Sequence, residues 1–286
     1  MPPPSHWQLP PGVPRGTWEY GQSALVTGGY DQDLAGHPLF ELDQRVLERW
    51  IPPVRDGERK WVADLGCGTG RAVLHLARRG LDGLAVDLSD RMLAIVRRQA
   101  SVEGLRVHCV RANLVELECL ASESVDYALS LFSTLGMIQG RANRRRALAH
   151  MARILVPGGR CVLHVHNLWF NLYDPGGWRW LLRSQWQAWV RRDWELGDKY
   201  FSFRDVGQMY LHVFTEGELR ADVRSAGLRI LEWIPLAPAR DGSLKFPWFL
   251  SGLRANGWIV VCSKGEDAES EVLRLPLREG AESEVL

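Results

Sequence analysis

The sequence predicts an α/β fold, with a mainly parallel sheet covered by helices on both faces. Three observations predict it. An apolar run, Trp61-Val62-Ala63-Asp64-Leu65, leads directly into Gly66-Cys67-Gly68-Thr69-Gly70, as a buried strand does when a glycine loop turns it into a helix. A second apolar run, Leu84-Ala85-Val86, ends at Asp87, seventeen residues after Gly70. Beyond it, short apolar runs and helical periodicities alternate through the middle of the chain.

In order, the pattern predicts strand 61–65, helix 70–79, strand 83–87, helix 90–101, strand 105–110, strand 125–131, helix 142–154 and strand 160–166. Gly80 is placed to stop the first of these helices, and Ser89 to cap the second. Helix 218–226, strand 228–234 and strand 258–262 complete the series. The glycines at 66, 68 and 70 let the backbone turn sharply and approach a ligand where a Cβ would obstruct it. Arg71 stands where the third glycine of a dinucleotide fingerprint would fall, which argues against NAD. Asp87, at the tip of a strand, can accept hydrogen bonds from both hydroxyls of a ribose. Loop and acid together point to a nucleotide-like ligand.

Asp64-Leu65-Gly66-Cys67-Gly68-Thr69-Gly70 with Asp87 resembles motifs I and II of the class I S-adenosylmethionine (SAM)-dependent methyltransferases. Arg111-Ala112-Asn113, Asp126-Tyr127-Ala128-Leu129-Ser130-Leu131-Phe132 and Leu155-Val156-Pro157-Gly158-Gly159-Arg160 are similar to three further blocks of that family. The likeness runs from about Tyr30 to Lys264. It implies a Rossmann-like, seven-stranded, mostly parallel sheet with an antiparallel last strand, 228–234 and 258–262 forming the antiparallel end. It also implies SAM as methyl donor and S-adenosylhomocysteine as product. By resemblance, Asp64 stands near the methionine amino group, and Gly66, Cys67, Gly68 and Gly70 line its channel. Asp87 holds the ribose, Leu88 packs on adenine, Ala112 and Asn113 meet the adenine edge, and Leu131 and Phe132 border the methionine end. The family usually has Asp where this chain has Asn113, whose carbonyl can still accept a hydrogen bond.

A chain of 286 residues accommodates one large domain with an insertion. Its net charge of +1 excludes a broad field for nucleic acid or an anionic membrane, so any such attraction must be local. Five scattered cysteines without a CxxC pair fit free thiols in a reducing cytoplasm, and no His/Cys clustering suggests a metal. No segment approaches spanning length, so no membrane partner is expected, and the oligomeric state is left open.

Three parts frame the domain. Residues 1–28 form a Pro-rich N-terminal arm, with six prolines in the first sixteen positions favouring an extended chain. The domain is 29–264, and within it Leu39, Leu42, Val46, Leu47 and Trp50 recur at helical spacing. In many relatives the segment before motif I covers the ligand, which makes Tyr30, Asp31 and His37 candidates for a lid. An insertion at 167–214 holds six of the chain's thirteen tryptophans, Trp169, Trp178, Trp180, Trp186, Trp189 and Trp194. It is either a satellite hydrophobic cluster or, beyond the carboxyl end of the fifth strand, a substrate cap. Within it a hairpin around 205–207 places Tyr210, His212 and Phe214 on one face. The tail 265–286 is acidic and repeats Ala-Glu-Ser-Glu-Val-Leu, as a solvated, disordered end does.

Candidate catalytic groups are His166, near the carboxyl end of the fifth strand, His212 in the hairpin and Tyr30. His164 shares a side with His166 and reads as structural. The expected activity is methyl transfer to a small-molecule acceptor. A wobble-uridine-type transfer-RNA methyltransferase is the second reading. It rests on a likeness over Tyr210 to Leu219 and on Arg141, Arg144, Arg145, Arg146, Arg153 and Arg160, a run with no acid among them. A SAM-binding scaffold without turnover is the third.

Overall fold

Period-two burial decides how the central strands sit. In β1 (Trp61–Leu65), Ala63 and Leu65 face one apolar cluster and Val62 the other. In β9 (Gly257–Lys264), Trp258, Val260 and Cys262 join the first cluster while Ile259 and Val261 join the second. Strands buried on both faces need helices on both sides. The computed structural model describes residues 9–23, 38–55, 57–203, 206–239 and 242–265. Tyr30, Asp31 and His37 lie outside the described residues, as does 266–286 of the acidic tail.

The sheet also contains β2 (Asp82–Asp87), β3 (Val107–Arg111), β4 (Val125–Ser130), β5 (Leu155–His166) and β8 (Leu228–Pro235), in the order β3-β2-β1-β4-β5-β9-β8. Pairings from β3 to β5 are parallel, and β9 runs antiparallel to both β5 and β8. β8 is therefore parallel to the rest. The expected antiparallel end reduces to β9 alone. β3 starts two residues late because Gly104, left-handed at φ 65°, first closes the preceding helix, and Leu105 N then donates to Ala100 O. β5 starts five residues early, at Leu155, and its pairing jumps from Val125↔Leu155 to Tyr127↔Arg160 across the Pro157-Gly158-Gly159 irregularity.

One face is covered by α5 (Arg141–Ile154) and α7 (Glu216–Ser225), the other by α2 (Pro38–Trp50), α3 (Arg71–Arg78) and α4 (Asp90–Glu103). Ser89 Oγ accepts from Met92 N and Thr215 Oγ1 from Glu218 N, so both helices have side-chain N-caps. α2 buries Leu39, Leu42, Val46 and Leu47, and at about 2 kcal/mol for each side chain this outweighs the cost of carrying Asp43 inside with them.

The insertion contains a turn at Trp169–Tyr173, α6 (Gly177–Val190) and the hairpin β6 (Asp198–Phe203) and β7 (Val206–His212), a two-stranded sheet of its own. A four-residue helix, α8 (Ser251–Arg254), precedes β9. The segment expected as an extended arm contains α1 (Arg15–Gln22), which packs on β7 and α4. Gly16 permits that approach, because a Cβ there would lie 1.9 Å from Gln208 O. Among the described residues no helix is long and apolar enough to cross a membrane.

Candidate active site

The turn after β1 uses its three glycines differently. All are left-handed, with φ of 79°, 53° and 86° at Gly66, Gly68 and Gly70. A Cβ on Gly66 would sit 2.2 Å from Thr134 Cγ2, and one on Gly70 2.7 Å from Val96 Cγ2, whereas one on Gly68 would meet nothing within 4 Å. Two of the glycines are therefore accounted for by packing. Only Gly68 keeps open a space that a ligand could take.

Asp87 fixes this loop from the next strand: its Oδ2 accepts from Gly68 N at 2.9 Å and its Oδ1 from Ser89 N at 2.8 Å. Burial raises the carboxyl of Asp87, partly offset by those backbone donors. Asp64, at the end of β1, accepts from Val73 N at 3.3 Å. Burial pushes its pKa up to about 7, with Arg71 pulling the other way. Burial likewise holds the Cys67 thiol well above its ordinary value.

These groups open into one cavity of about 640 Å³. One half is lined by Asp64, Gly66, Cys67, Gly68, Asp87, Leu88, Ala112, Asn113, Leu131 and Phe132. Gly70, wedged against Val96, does not line it. Asn113 is spoken for on both sides, since its amide donates to Pro11 O at 2.9 Å and its carbonyl accepts from Val115 N at 3.2 Å. It ties the N-terminal segment to the site. Phe132 and Ser133 are consecutive left-handed residues, φ 50° and 65°, a costly backbone held by Ser133 N donating to His164 O at 2.8 Å.

The other half is mostly apolar. Met137, Phe170, Phe201, Phe203, Met209, Leu211 and Val213 line it, with His166, Asn171, Asp174, Lys199 and Asn256 as polar groups, and Val13, Tyr20 and Phe40 line the cavity as well. Sequence reasoning missed the contribution of α1 and, on β7, chose the wrong alternate set. Met209, Leu211 and Val213 face the cavity. Tyr210, His212 and Phe214 do share a face, but it is the buried one.

His212 is therefore no candidate for acid–base work in the cavity. It is fully buried, with Nδ1 2.8 Å from Asp198 Oδ1 and Nε2 3.1 Å from Glu218 Oε1. Glu195, Asp198 and His212 lie close enough together for a metal, yet both imidazole nitrogens face carboxylates and Glu195 pairs with the fully buried Arg144. His164 is buried against Asp43 at 2.8 Å, and Asp43 in turn holds Arg71 at 3.0 Å. His166 alone of the three histidines reaches the cavity wall.

Two more expectations are corrected. The arginine run is not an open basic patch: Arg141 and Arg145 bind Asp222, Arg144 binds Glu195 and Glu218, and Arg146 binds Glu118. Arg153 donates to the carbonyls of Leu117 and Leu120, and Arg160 to that of Trp50. The insertion does line the cavity, but none of its six tryptophans does so.

Residues 62–159 match a family model described as a methyltransferase domain. The demethylmenaquinone methyltransferase of Thermus thermophilus is 32% identical over 126 residues, 43% of this chain and 55% of that protein. The ubiquinone biosynthesis O-methyltransferase of Dechloromonas aromatica is 25% identical over 138 residues, 48% of this chain and 57% of that protein. The chain spans about half the length of the curated relatives it matches. Among solved structures, the 1,6-didemethyltoxoflavin-N1-methyltransferase of Burkholderia thailandensis, with its substrate and S-adenosylhomocysteine bound, aligns with a TM-score of 0.57 at 18% identity. That alignment covers 91% of this chain and 93% of the other, a likeness of fold.

Proposed function

We infer that this chain, which belongs to the class I methyltransferase family, transfers a methyl group from SAM to a small, largely apolar, ring-bearing acceptor. The observation that carries this reading is the single cavity joining the Gly68 and Asp87 end to an apolar half. Two features suit SAM: the open space at Gly68, and the buried carboxylate of Asp64, which favours a cation beside it. When bound, SAM supplies an electrophilic methyl on a positively charged sulfur.

Asp87 would accept from the ribose hydroxyls and Asp64 would face the methionine ammonium. Leu88 and Ala112 would flank adenine, and the loop from Gly66 to Gly70, with Cys67, would form the channel. Asn113 already holds Pro11, so its part is to keep the N-terminal segment over the adenine end. Leu131 and Phe132 would border the reacting end. Aromatic faces from Phe132, Phe170, Phe201 and Phe203 surround a cation without having to stabilise new negative charge. Positioning within such a pocket supplies much of the acceleration.

The acceptor class rests on the lining. The relatives named for quinones agree with it. An oxygen or nitrogen acceptor must release a proton, and His166 is the cavity histidine placed to take it. The arginine pairings weaken one of the two features behind an RNA acceptor, the basic run.

Calorimetric titration with S-adenosylhomocysteine tests the cofactor. Wild type binds saturably, Asp87→Ala does not, and NAD gives no heat. Absence of binding by folded wild type would overturn the reading. Transfer of labelled methyl to phenols, quinols or amines then separates an enzyme from an inactive scaffold. His166→Gln should slow transfer to hydroxyl acceptors while leaving S-adenosylhomocysteine affinity unchanged.

A further inference from the structure

The tryptophans that do not line the cavity point outward. In α6 the inner face consists of Gly177 and Ser184, buried, with Trp180, Leu181, Gln187 and Ala188 half-buried. On the outer face Trp178, Leu182, Trp186 and Trp189 are 55%, 64%, 59% and 82% exposed. At 3.6 residues per turn these four fall within an arc of about 80°, with Arg179 and Arg183 along one flank.

A second exposed apolar segment lies alongside. Phe246, Trp248, Phe249, Leu250 and Leu253 are all more than two-fifths exposed. The turn Trp169–Tyr173 packs against both α6 and α8 and adds exposed Leu172 and Tyr173. Asn167 fastens that turn to α8, accepting from Trp169 N and donating to the carbonyls of Gly252 and Ala255. Contiguous apolar surface on this scale marks an interaction site.

Charge identifies the partner. Residues 174–193 contain Arg179, Arg183, Arg191 and Arg192 against Asp174 and Asp193, the latter paired with Arg191 at 2.7 Å, and residues 242–254 contain Lys245 and Arg254 and no acid. The two stretches together carry +4 in a chain of net charge +1, which leaves the remainder at −3. We propose that this face docks on the surface of an anionic phospholipid bilayer, with the tryptophans at headgroup depth and the arginines among the lipid phosphates. Trp and Tyr favour that depth because one end of the ring system is apolar and the other can hydrogen-bond. At fourteen residues α6 is too short to span the membrane and lies in its plane. The expectation of no membrane partner followed from net charge and segment length, neither of which registers a surface of this kind.

Other occupants fit less well. A symmetric dimer through this face would set one net positive charge against another. RNA would stack on the aromatic rings, but Leu172, Leu182, Leu250 and Leu253 offer it neither a stacking face nor a hydrogen bond. This face is independent of the reaction. It does have a geometric corollary, because Phe170 and Asn171, in the turn that carries Leu172 and Tyr173, line the cavity.

The test is co-sedimentation of the full chain with vesicles of phosphatidylcholine, with and without phosphatidylglycerol, followed also by tryptophan emission. Saturable binding to the anionic vesicles, a blue shift, and loss in high salt are expected. Arg179→Gln with Arg183→Gln should weaken partitioning about 30-fold. Trp186→Ala with Trp189→Ala should reduce the blue shift, leaving the part from Trp178 and Trp248, without moving the thermal midpoint, since both replaced side chains are more than half exposed. Failure to sediment with anionic vesicles overturns the proposal, as does equal binding to neutral ones. Dimerisation abolished by Trp186→Ala, or retention of RNA homopolymers, in the absence of vesicle binding would assign the face to another partner and refute it as well.

Discussion

Asp64 offers the sharpest link between the architecture and a measurable property of the binding reaction. Its carboxyl sits at the end of β1 with a pKa pushed up to about 7 by burial, against an ordinary 3.8. A ligand carrying an ammonium group selects the ionised form. At about pH 8 roughly nine molecules in ten are already ionised, and at about pH 6 roughly one in ten, so S-adenosylhomocysteine should bind about tenfold more weakly at the lower pH. Near neutrality about half a proton should leave the protein on binding. Calorimetry in two buffers of different ionisation enthalpy measures both quantities. The same burial acts on stability. Because the folded pKa lies above the unfolded one, stability is lost as pH rises from 3.8 to about 7. The full penalty is on the order of 4 kcal/mol. Asp64→Asn should therefore resist urea better than wild type at about pH 8 while binding the ligand poorly. An affinity that is flat across this range, together with a variant no more stable than wild type, would refute the assignment of Asp64 to the ammonium.

Three other perturbations follow from the geometry. Gly68→Ala should cost only about 1–2 kcal/mol for its left-handed backbone yet abolish S-adenosylhomocysteine binding, whereas Gly66→Ala should lower the thermal midpoint further and be partly rescued by Thr134→Ser, which removes the clashing methyl. Arg144→Met leaves Glu195 and Glu218 without their buried guanidinium and should cost about 3–5 kcal/mol in urea unfolding. Burial lowers the His212 pKa, but the hydrogen bonds it donates to Asp198 and Glu218 more than offset it, and the net shift is upward. Its stabilisation is thus complete below the ordinary 6.5 and fades as pH climbs through the raised value. The stability gap between wild type and His212→Gln should narrow as the pH rises above 6.5.

The sheet was legible because alternating burial writes itself into local sequence: β1, β2 and β9 fall within two residues of their expected limits. The cofactor half of the cavity was legible for a different reason, since glycine spacing and Asp87 report the backbone of a single βαβ unit. What sequence could not give was tertiary direction. Period two tells which residues of β7 share a face, but not which face meets the core, so the sequence offers His212 to a cleft that Leu211 in fact lines. The arginines from 141 to 146 looked unpaired because Glu195, Glu218 and Asp222 lie more than fifty residues along the chain. Six prolines point to an extended arm, yet the segment contains α1, and Gly16 and the Pro11 carbonyl let it lie against β7 and Asn113.

Strand β7 assigns its two faces to separate tasks. Its inward residues, Tyr210 and His212, belong to the ionic frame with Asp198 and Glu218, while Met209 and Leu211 shape the cavity. Selectivity and folding are thereby uncoupled along one stretch of backbone. Substitutions among apolar side chains at 209, 211 and 213 change the volume offered to an acceptor without touching the frame. The wall can be recut for a different acceptor while the strand that carries it stays where it is, a property that would let related enzymes diverge in substrate through a handful of side chains.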